Sequence, residues 1–361
     1  MRDRGRAARL GRIALWFVVP LALVAGLGAW GYSDYNAFGP LEQNKVVVIA
    51  KGSSLEQIAE TLSDNGIIDH PRIFIIGAKL TGRASALKAG EYEFPARITP
   101  ALAVELLDSG KVVFHKLTIP EGLTSGEVAA LVTAAPELDG TVDPTPREGS
   151  LMPDTYQYLF GEKRADIVAR MSRAMDLALK TAWAHRSADL PLDSPEQALI
   201  LASIVEKETA KPDERARIAG VYIERLRRGM KLQADPTVVY ALTRGGAMPM
   251  DHTLDHADLA VNSPYNTYLY KGLPPTPIAN PGLPSIQAAV NPDDRGDLYF
   301  VADGTGGHTF SKNLEQQNHG INQLHHHNKV KAAAAKAAQK TAKAAKPAKV
   351  GATASTGVKT P

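Results

Sequence analysis

Apolar and polar positions along the chain change their spacing several times, and each change marks a new kind of element. Ile13 to Tyr32 reads IALWFVVPLALVAGLGAWGY, twenty residues without a charge, the helix length needed to cross a bilayer core. Pro20 and the glycines are tolerated in such a helix, and Trp16, Trp30 and Tyr32 near its ends suit the headgroup zone. Further on, VVVIAKGSSLEQIAETL predicts a strand, a turn at Gly52, and a helix capped by Ser54 and Gln57 with Ile58, Ala59 and Leu62 as its apolar stripe. Asn65-Gly66 ends that helix, Pro71 opens a second one through Leu80, and GEYEF, ending at Phe94, returns to strand alternation.

The first pattern recurs seventy residues later. In KLTIPEGLTSGEVAALV, Ile119, Gly122, Thr124, Glu127, Val128, Ala129 and Val132 reproduce Ile49, Gly52, Ser54, Gln57, Ile58, Ala59 and Leu62. Two copies are too few for a solenoid and read as a pair of related strand-turn-helix modules. The strand-helix-helix-strand order resembles the LysM-type fold that holds N-acetylated glycans, while a small α+β spacer without a ligand fits the same packing and capping residues. Beyond Glu148 come EGSLMPDTYQYLF, a helix from Ala165 to Trp183, and two more over 195–209 and 213–228, the first opened by Ser194, Pro195 and Gln197. A proline-rich loop, the strand DLYFVADG and a polar helix-like segment follow. Residues 329–361 are mostly Ala, Lys, Thr and Pro without an apolar face, which predicts a disordered tail with weak helicity in its Ala runs.

Charge sharpens this picture. The formal charge of +3 is an average over a +4 N-terminus (residues 1–12), a +8 tail (residues 329–361) and a body at −9. An acidic body is a poor partner for phosphate backbones, so nucleic-acid binding is excluded as the main role. Arg2, Arg4, Arg6, Arg9 and Arg12 precede the apolar run, which by the positive-inside rule puts residues 1–12 in the cytoplasm, residues 13–32 across the membrane and the rest outside. A cleaved signal peptide is the rival reading, but the run exceeds the usual h-region and lacks an A-x-A site. With no cysteine, disulfides, thiolate metal sites and Cys nucleophiles are unavailable.

Candidate chemistry centres on SPEQALILASIVEKETA. Ala198 to Val205 are apolar on nearly every face, so the helix is buried, and it then presents Glu206 and Glu208. Burial raises a carboxyl's pKa and lets it donate a proton near neutrality. The two glutamates stand about 200° apart on a helix, so both cannot face one cleft. Periodicity does not choose between them, and both could equally end in solvent beside Lys207. His252 and His256 stand four apart, a spacing that holds zinc on a helix, but Asp251 and Asp255 beside them fit a solvated acidic turn, and no metal is expected. His325 to His327 read as a solvated run.

ASIVEKET, RLRRGMKLQADPTVVY, SPYNTYLYKGLPPTPIANPG and LYFVADGTGGHTF, in this order, are similar to the motifs of the membrane-bound endolytic murein transglycosylases, the MltG or YceG-like family. The resemblance covers nearly the whole chain except the Lys/Ala tail. It implies an α+β architecture with a single N-terminal transmembrane helix, a LysM-like module over 45–114, and a mixed α/β catalytic domain over 115–328 in which 115–147 form a joining strand-turn-helix repeat. It implies Glu206, the first Glu of VEKE, as the catalytic acid/base. The reaction would protonate the glycosidic oxygen between N-acetylmuramic acid and N-acetylglucosamine, then close the muramoyl C6 hydroxyl onto C1, leaving a 1,6-anhydromuramoyl end without a cofactor. Gln233, Asp235, Thr237, Tyr265, Asn266, Thr267, His308 and Thr309 are candidates for holding the sugar, because amides, hydroxyls and aromatic faces suit acetamido sugars. Each has a bland alternative as loop punctuation. Glu148 and Asp154 are placed near the cleft or between modules without a choice.

The partners implied are peptidoglycan glycan strands and, by family and location, peptidoglycan synthases. A hydrolytic muramidase would need a second carboxylate near Glu206, with Glu224 or Asp235 as candidates. A non-catalytic glycan-binding scaffold would survive replacement of Glu206 by Gln.

Overall fold

The computed structural model describes residues 4–344 apart from 244 and 251. It divides into two compact units whose segments interleave along the chain. The first holds the chain up to Thr118 with Leu131–Val142 and Thr155–Val168, and the second holds Ile119–Ala130, Asp143–Asp154 and everything from Ala169.

The first unit begins with α1 (Arg4–Asn36), longer at both ends than the apolar run, since no proline lies in the segments that flank it. Its segment Trp16–Asn36 is long and apolar enough to cross a membrane. Next come β1 (Lys45–Ile49), α2 (Leu55–Asp64), α3 (Pro71–Leu80) and β2 (Gly90–Phe94), with β1 and β2 antiparallel and Lys45 opposite Phe94. The capping box forms as the sequence predicts: the Gln57 N–H donates to Ser54 Oγ at 3.2 Å and the Ser54 N–H to Gln57 Oε1 at 2.8 Å. At the helix's other end only Gly66 takes the left-handed conformation, at φ +70, while Asn65 stays at φ −87. A fourth helix, α4 (Pro100–Ser109), closes a core of Val47, Ile49, Leu62, Phe74, Tyr92 and Phe94.

The remaining strands of this unit are short. β3 (His115–Thr118) precedes α5 (Ser125–Ala134), β4 (Leu138–Asp139), β5 (Thr155–Tyr158) and β6 (Glu162–Lys163); β3 pairs antiparallel with β5, and β4 parallel with β6. Arg164 gathers the loop between α5 and β4, donating to the carbonyls of Val132, Thr133, Ala135, Leu138 and Gly140. Five carbonyls on one guanidinium use its whole donor fork, a role no local pattern announces.

In the second unit the repeat read from the sequence is real at the level of caps. The Thr124 N–H donates to Glu127 Oε2 at 2.8 Å and the Glu127 N–H to Thr124 Oγ1 at 3.3 Å, and Gly122 turns at φ +77 as Gly52 does at φ +82. Helices α6 (Arg164–Ala184), α7 (Pro195–Glu208), α8 (Arg215–Arg227), α9 (Asp235–Leu242) and α10 (Leu283–Val290) follow, then the antiparallel hairpin of β7 (Tyr299–Ala302) and β8 (His308–Ser311). Ser194 caps α7 by accepting the Gln197 N–H at 3.3 Å, Pro195 occupies its first turn, and Ala198 to Val205 are all buried. α7 packs on α8 and α10, with Leu201, Ile204, Ile218, Tyr222, Ile286 and Ala289 in one core.

The final helix, α11 (Leu314–Ala344), extends into the expected tail, through the Ala runs where the sequence predicts weak helicity. Helix runs past 329 because Ala and Lys are strong helix formers that need no buried face to continue an existing helix. His325 to His327 lie within it. The rest of the predicted tail, 345–361, lies outside the described residues.

Candidate active site

The last turn of α7 puts its two glutamates in different surroundings. Glu206, whose side chain is only 6 % exposed, accepts the Gly282 N–H on Oε2 at 3.0 Å and faces Arg215 Nη2 from Oε1 at 3.5 Å. The same guanidinium nitrogen stands 3.4 Å from Glu121 Oε2. Burial, with the charge of Glu206 adding to it, pushes the Glu121 carboxyl up, and Arg215 opposes both. Gly282 lies close under Glu121: a Cβ there would stand 1.9 Å from Glu121 Oε1, so a larger residue would displace that side chain. Glu206 thus has a guanidinium beside one oxygen and a backbone amide on the other.

Glu208 instead lines a cleft of about 690 Å³ with Thr124, Glu127, Asp235, Tyr240 and Ile278. The buried Tyr222 hydroxyl donates to its Oε1. Burial pushes the Glu208 carboxyl up to about 7; the Asp235 charge adds to this, while the Tyr222 hydrogen bond and Arg225 pull the other way. Asp235 is itself held by the Tyr268 hydroxyl, which donates to Oδ1 at 2.5 Å. A carboxyl that titrates near neutrality at a cleft wall has the protonation behaviour general acid catalysis needs.

Of the sugar-binding candidates, Asp235 alone lines this cleft. Gln233 is exposed, at φ +51, with its N–H donating to the Thr267 carbonyl at 3.1 Å. Thr237 and Thr267 are buried and share a hydroxyl–hydroxyl bond of 2.9 Å, with Thr237 donating to the Ala234 carbonyl and Thr267 accepting the Ala234 N–H. Asn266 is buried too, donating to the Leu259 and Val261 carbonyls and accepting the Tyr268 N–H. These three polar side chains clamp the loops around α9 from inside. Tyr265 packs on Tyr240 with ring centroids 4.9 Å apart and bonds Thr276 at 2.8 Å, one residue behind the cleft wall. On β8, His308 Nδ1 lies 2.7 Å from Glu214 Oε2, and Thr309 faces a groove shared with Asp303 and His319.

Glu224 pairs with Arg227 and Arg228 and does not line the cleft. His252 and His256 are not on a helix; His252 Nε2 lies 2.9 Å from Asp258 Oδ2 in an exposed turn that Asp255 and Asp258 stitch to backbone N–H groups. Asp251 lies outside the described residues.

Two organising residues were not singled out, or not resolved, by sequence reasoning. Glu148 accepts the Ser125 N–H at 2.8 Å and the Tyr240 hydroxyl at 3.2 Å, tying the capped start of α5 to the cleft wall. Burial pushes its carboxyl up against the pull of these bonds. Asn280, fully buried, accepts the Leu151 N–H at 2.8 Å and donates to the Leu123 carbonyl at 2.9 Å. Its only sequence signal is its place inside the IANPG motif. Asn280→Ala should cost about 2 kcal/mol by stranding a buried N–H and carbonyl, read as a lower denaturation midpoint.

Residues 47–323 match the YceG-like family model. The chain is 31 % identical to the endolytic murein transglycosylase of Streptococcus pneumoniae over 86 % of this chain, and spans 64 % of that relative's length. It is also 31 % identical to the endolytic murein transglycosylase of Bacillus subtilis, covering 75 % of this chain and 82 % of that protein. A crystal structure of a yceG-like protein of Listeria monocytogenes is 31 % identical, covering 76 % of this chain and 98 % of the other, with a TM-score of 0.48. With a family match that runs from β1 into α11 and so takes in the whole cleft, this chain belongs to the YceG-like family.

Proposed function

We propose that this chain is an endolytic murein transglycosylase that cuts the bond between N-acetylmuramic acid and N-acetylglucosamine in nascent glycan strands, with Glu208 as its acid/base; Glu206, which the family resemblance implies, is the alternative that paired substitutions separate. The observation that carries this reading is a carboxyl pushed up to about 7 at the wall of an open cleft, on a chain whose relatives are named for that activity. Protonated, Glu208 gives its proton to the glycosidic oxygen as the C1–O bond breaks. Ionised, it takes the proton from the muramoyl C6 hydroxyl as that oxygen bonds to C1. One carboxyl thus serves both steps, and the nucleophile belongs to the substrate. Glu206 then has an architectural role, with Arg215 and Gly282 occupying its oxygens.

Burial raises the Glu208 carboxyl and the charge of Asp235, which lines the same cleft, adds to it. Asp235→Asn should let Glu208 ionise at lower pH, so the alkaline limb of the kcat/KM profile moves toward acid; a profile between about pH 5 and pH 9 reads the shift.

The finer organisation follows the same reading. The N-terminus is cytoplasmic, α1 is a single-pass inner-membrane anchor, residues 45–114 are a LysM-like module, residues 115–328 carry the catalysis outside the membrane, and wall synthases are partners. Digesting uncrosslinked strands with the full-length protein, followed by mass spectrometry of the muramoyl ends, tests the central claim. Internal anhydromuramoyl ends support it. Reducing ends would make the enzyme a hydrolase with Asp235 as the second carboxylate, and no cleavage would leave a glycan-binding scaffold.

A further inference from the structure

Helix α1 is not a free tether, since its last turns are built into the first unit. Gly77 of α3 leaves the space that the Tyr35 ring fills, where a Cβ would lie 2.1 Å from a ring carbon. Beside this contact, the Trp30 ring meets His70 edge-to-face at 5.5 Å, and His70 Nδ1 lies 3.8 Å from Asp34 Oδ2. These contacts fix the height of α3 along α1. Between the two helices runs an apolar groove of about 660 Å³ lined by Leu27, Gly28, Trp30, Ile73, Ile76 and Leu80.

The inner face of α3 is spent on the core, where Phe74 and Ala78 are fully buried, yet Ile76 is 56 % and Leu80 83 % exposed. Scattered exposed apolar residues need no explanation, but these two continue the surface of the membrane-crossing helix. Leu27, which shares the groove with Leu80, precedes Tyr32 by five residues, a rise of about 7.5 Å at 1.5 Å per residue. If the aromatic end of α1 marks the headgroups, the groove reaches about 5–10 Å inward, the depth at which interfacial helices bury their apolar faces.

We infer that α3 is a second membrane contact: Ile76 and Leu80 lie among the phospholipid acyl chains of the leaflet that α1 leaves, and an acyl chain fills the groove between α1 and α3. Lys79, exposed beside Leu80 with its Nζ 3.7 Å from Glu56, can extend toward the headgroups from that position. The contact holds the first unit against the bilayer, so the unit has a fixed height and does not swing on a tether. This inference rests on α1 crossing the membrane, and the experiment separates the two.

The chain contains no cysteine, so single cysteines report cleanly. Full-length Leu27→Cys, Leu80→Cys and Glu60→Cys proteins, each labelled with an environment-sensitive fluorophore, are reconstituted into phosphatidylcholine–phosphatidylglycerol bilayers with and without lipids bearing an acyl-chain nitroxide. Glu60 is an exposed position on α2, which packs on α3. The expected result is blue-shifted emission and nitroxide quenching at position 80 comparable to position 27, with neither at position 60. Quenching at 27 with a water-exposed label at 80 overturns the inference and leaves the anchor standing. No quenching at 27 removes the anchor and the inference together, and equal quenching at all three positions overturns it by showing that the label itself partitions.

Discussion

Glu208→Gln should lower kcat by about 100- to 10,000-fold, the range that positioned general acids contribute, while Glu206→Gln should retain the chemistry and lose mainly stability. The contrast comes from what each carboxyl already does in the folded chain. Glu206 has Arg215 Nη2 at 3.5 Å and the Gly282 N–H at 3.0 Å, so both of its oxygens are engaged by the protein. Gln at 206 keeps an oxygen for Gly282 but leaves Arg215 with Glu121 alone, a cost of about 1–3 kcal/mol for a bond to a charged group. Glu208 accepts the Tyr222 hydroxyl on Oε1 and lines the cleft. Gln at 208 preserves shape and the Tyr222 bond but can neither give nor take the proton. Parallel assays on uncrosslinked strands, with anhydromuramoyl ends counted per unit time, check the pair. Loss of activity in Glu206→Gln with a fully active Glu208→Gln would return the acid to Glu206.

Why the sequence could not separate the two glutamates is visible in the partners. The capping boxes at Ser54–Gln57 and Thr124–Glu127 were legible because both members lie within one turn and the chemistry is local. The apolar run of α1, the buried body of α7 and the repeat were legible for the same reason, since periodicity and caps act over a few residues. The environment of Glu206 is made by Gly282, 76 positions away, and that of Glu208 by Tyr222, Asp235 and Arg225 across two later helices. Helical spacing shows only that the two diverge. Thr237, Asn266 and Thr267 teach a related lesson. A hydroxyl or amide in a proline-rich loop suits a sugar and a backbone carbonyl equally, and here the carbonyls of Ala234, Leu259 and Val261 take them. Asn280 and Arg164, which organise far more of the structure, sat in segments with no pattern that marks a polar hub.

The same Glu208→Gln substitution should make the protein more stable above pH 7, by up to about 3 kcal/mol. The carboxyl's pKa moves from its ordinary 4.5 to about 7 on folding, chiefly through burial, and each pH unit of that difference is worth about 1.4 kcal/mol. Between those two values the folded state keeps a proton that the unfolded state has released. Stability therefore falls as pH rises through that window and is constant beyond it, with the deficit present in full above about 7. Gln carries no proton to lose, so the variant escapes the deficit, while below 4.5 the two proteins should differ little. Urea denaturation at pH 4, 5.5 and 8 (values set by the about 4.5–7 window) checks the sign as well as the size. A gain in stability coupled to loss of cleavage is the trade expected of a residue held against its folding preference for the sake of chemistry. A Glu208→Gln protein no more stable at pH 8 than wild type would mean that the carboxyl is not held protonated, and the assignment of the acid would lose its physical basis.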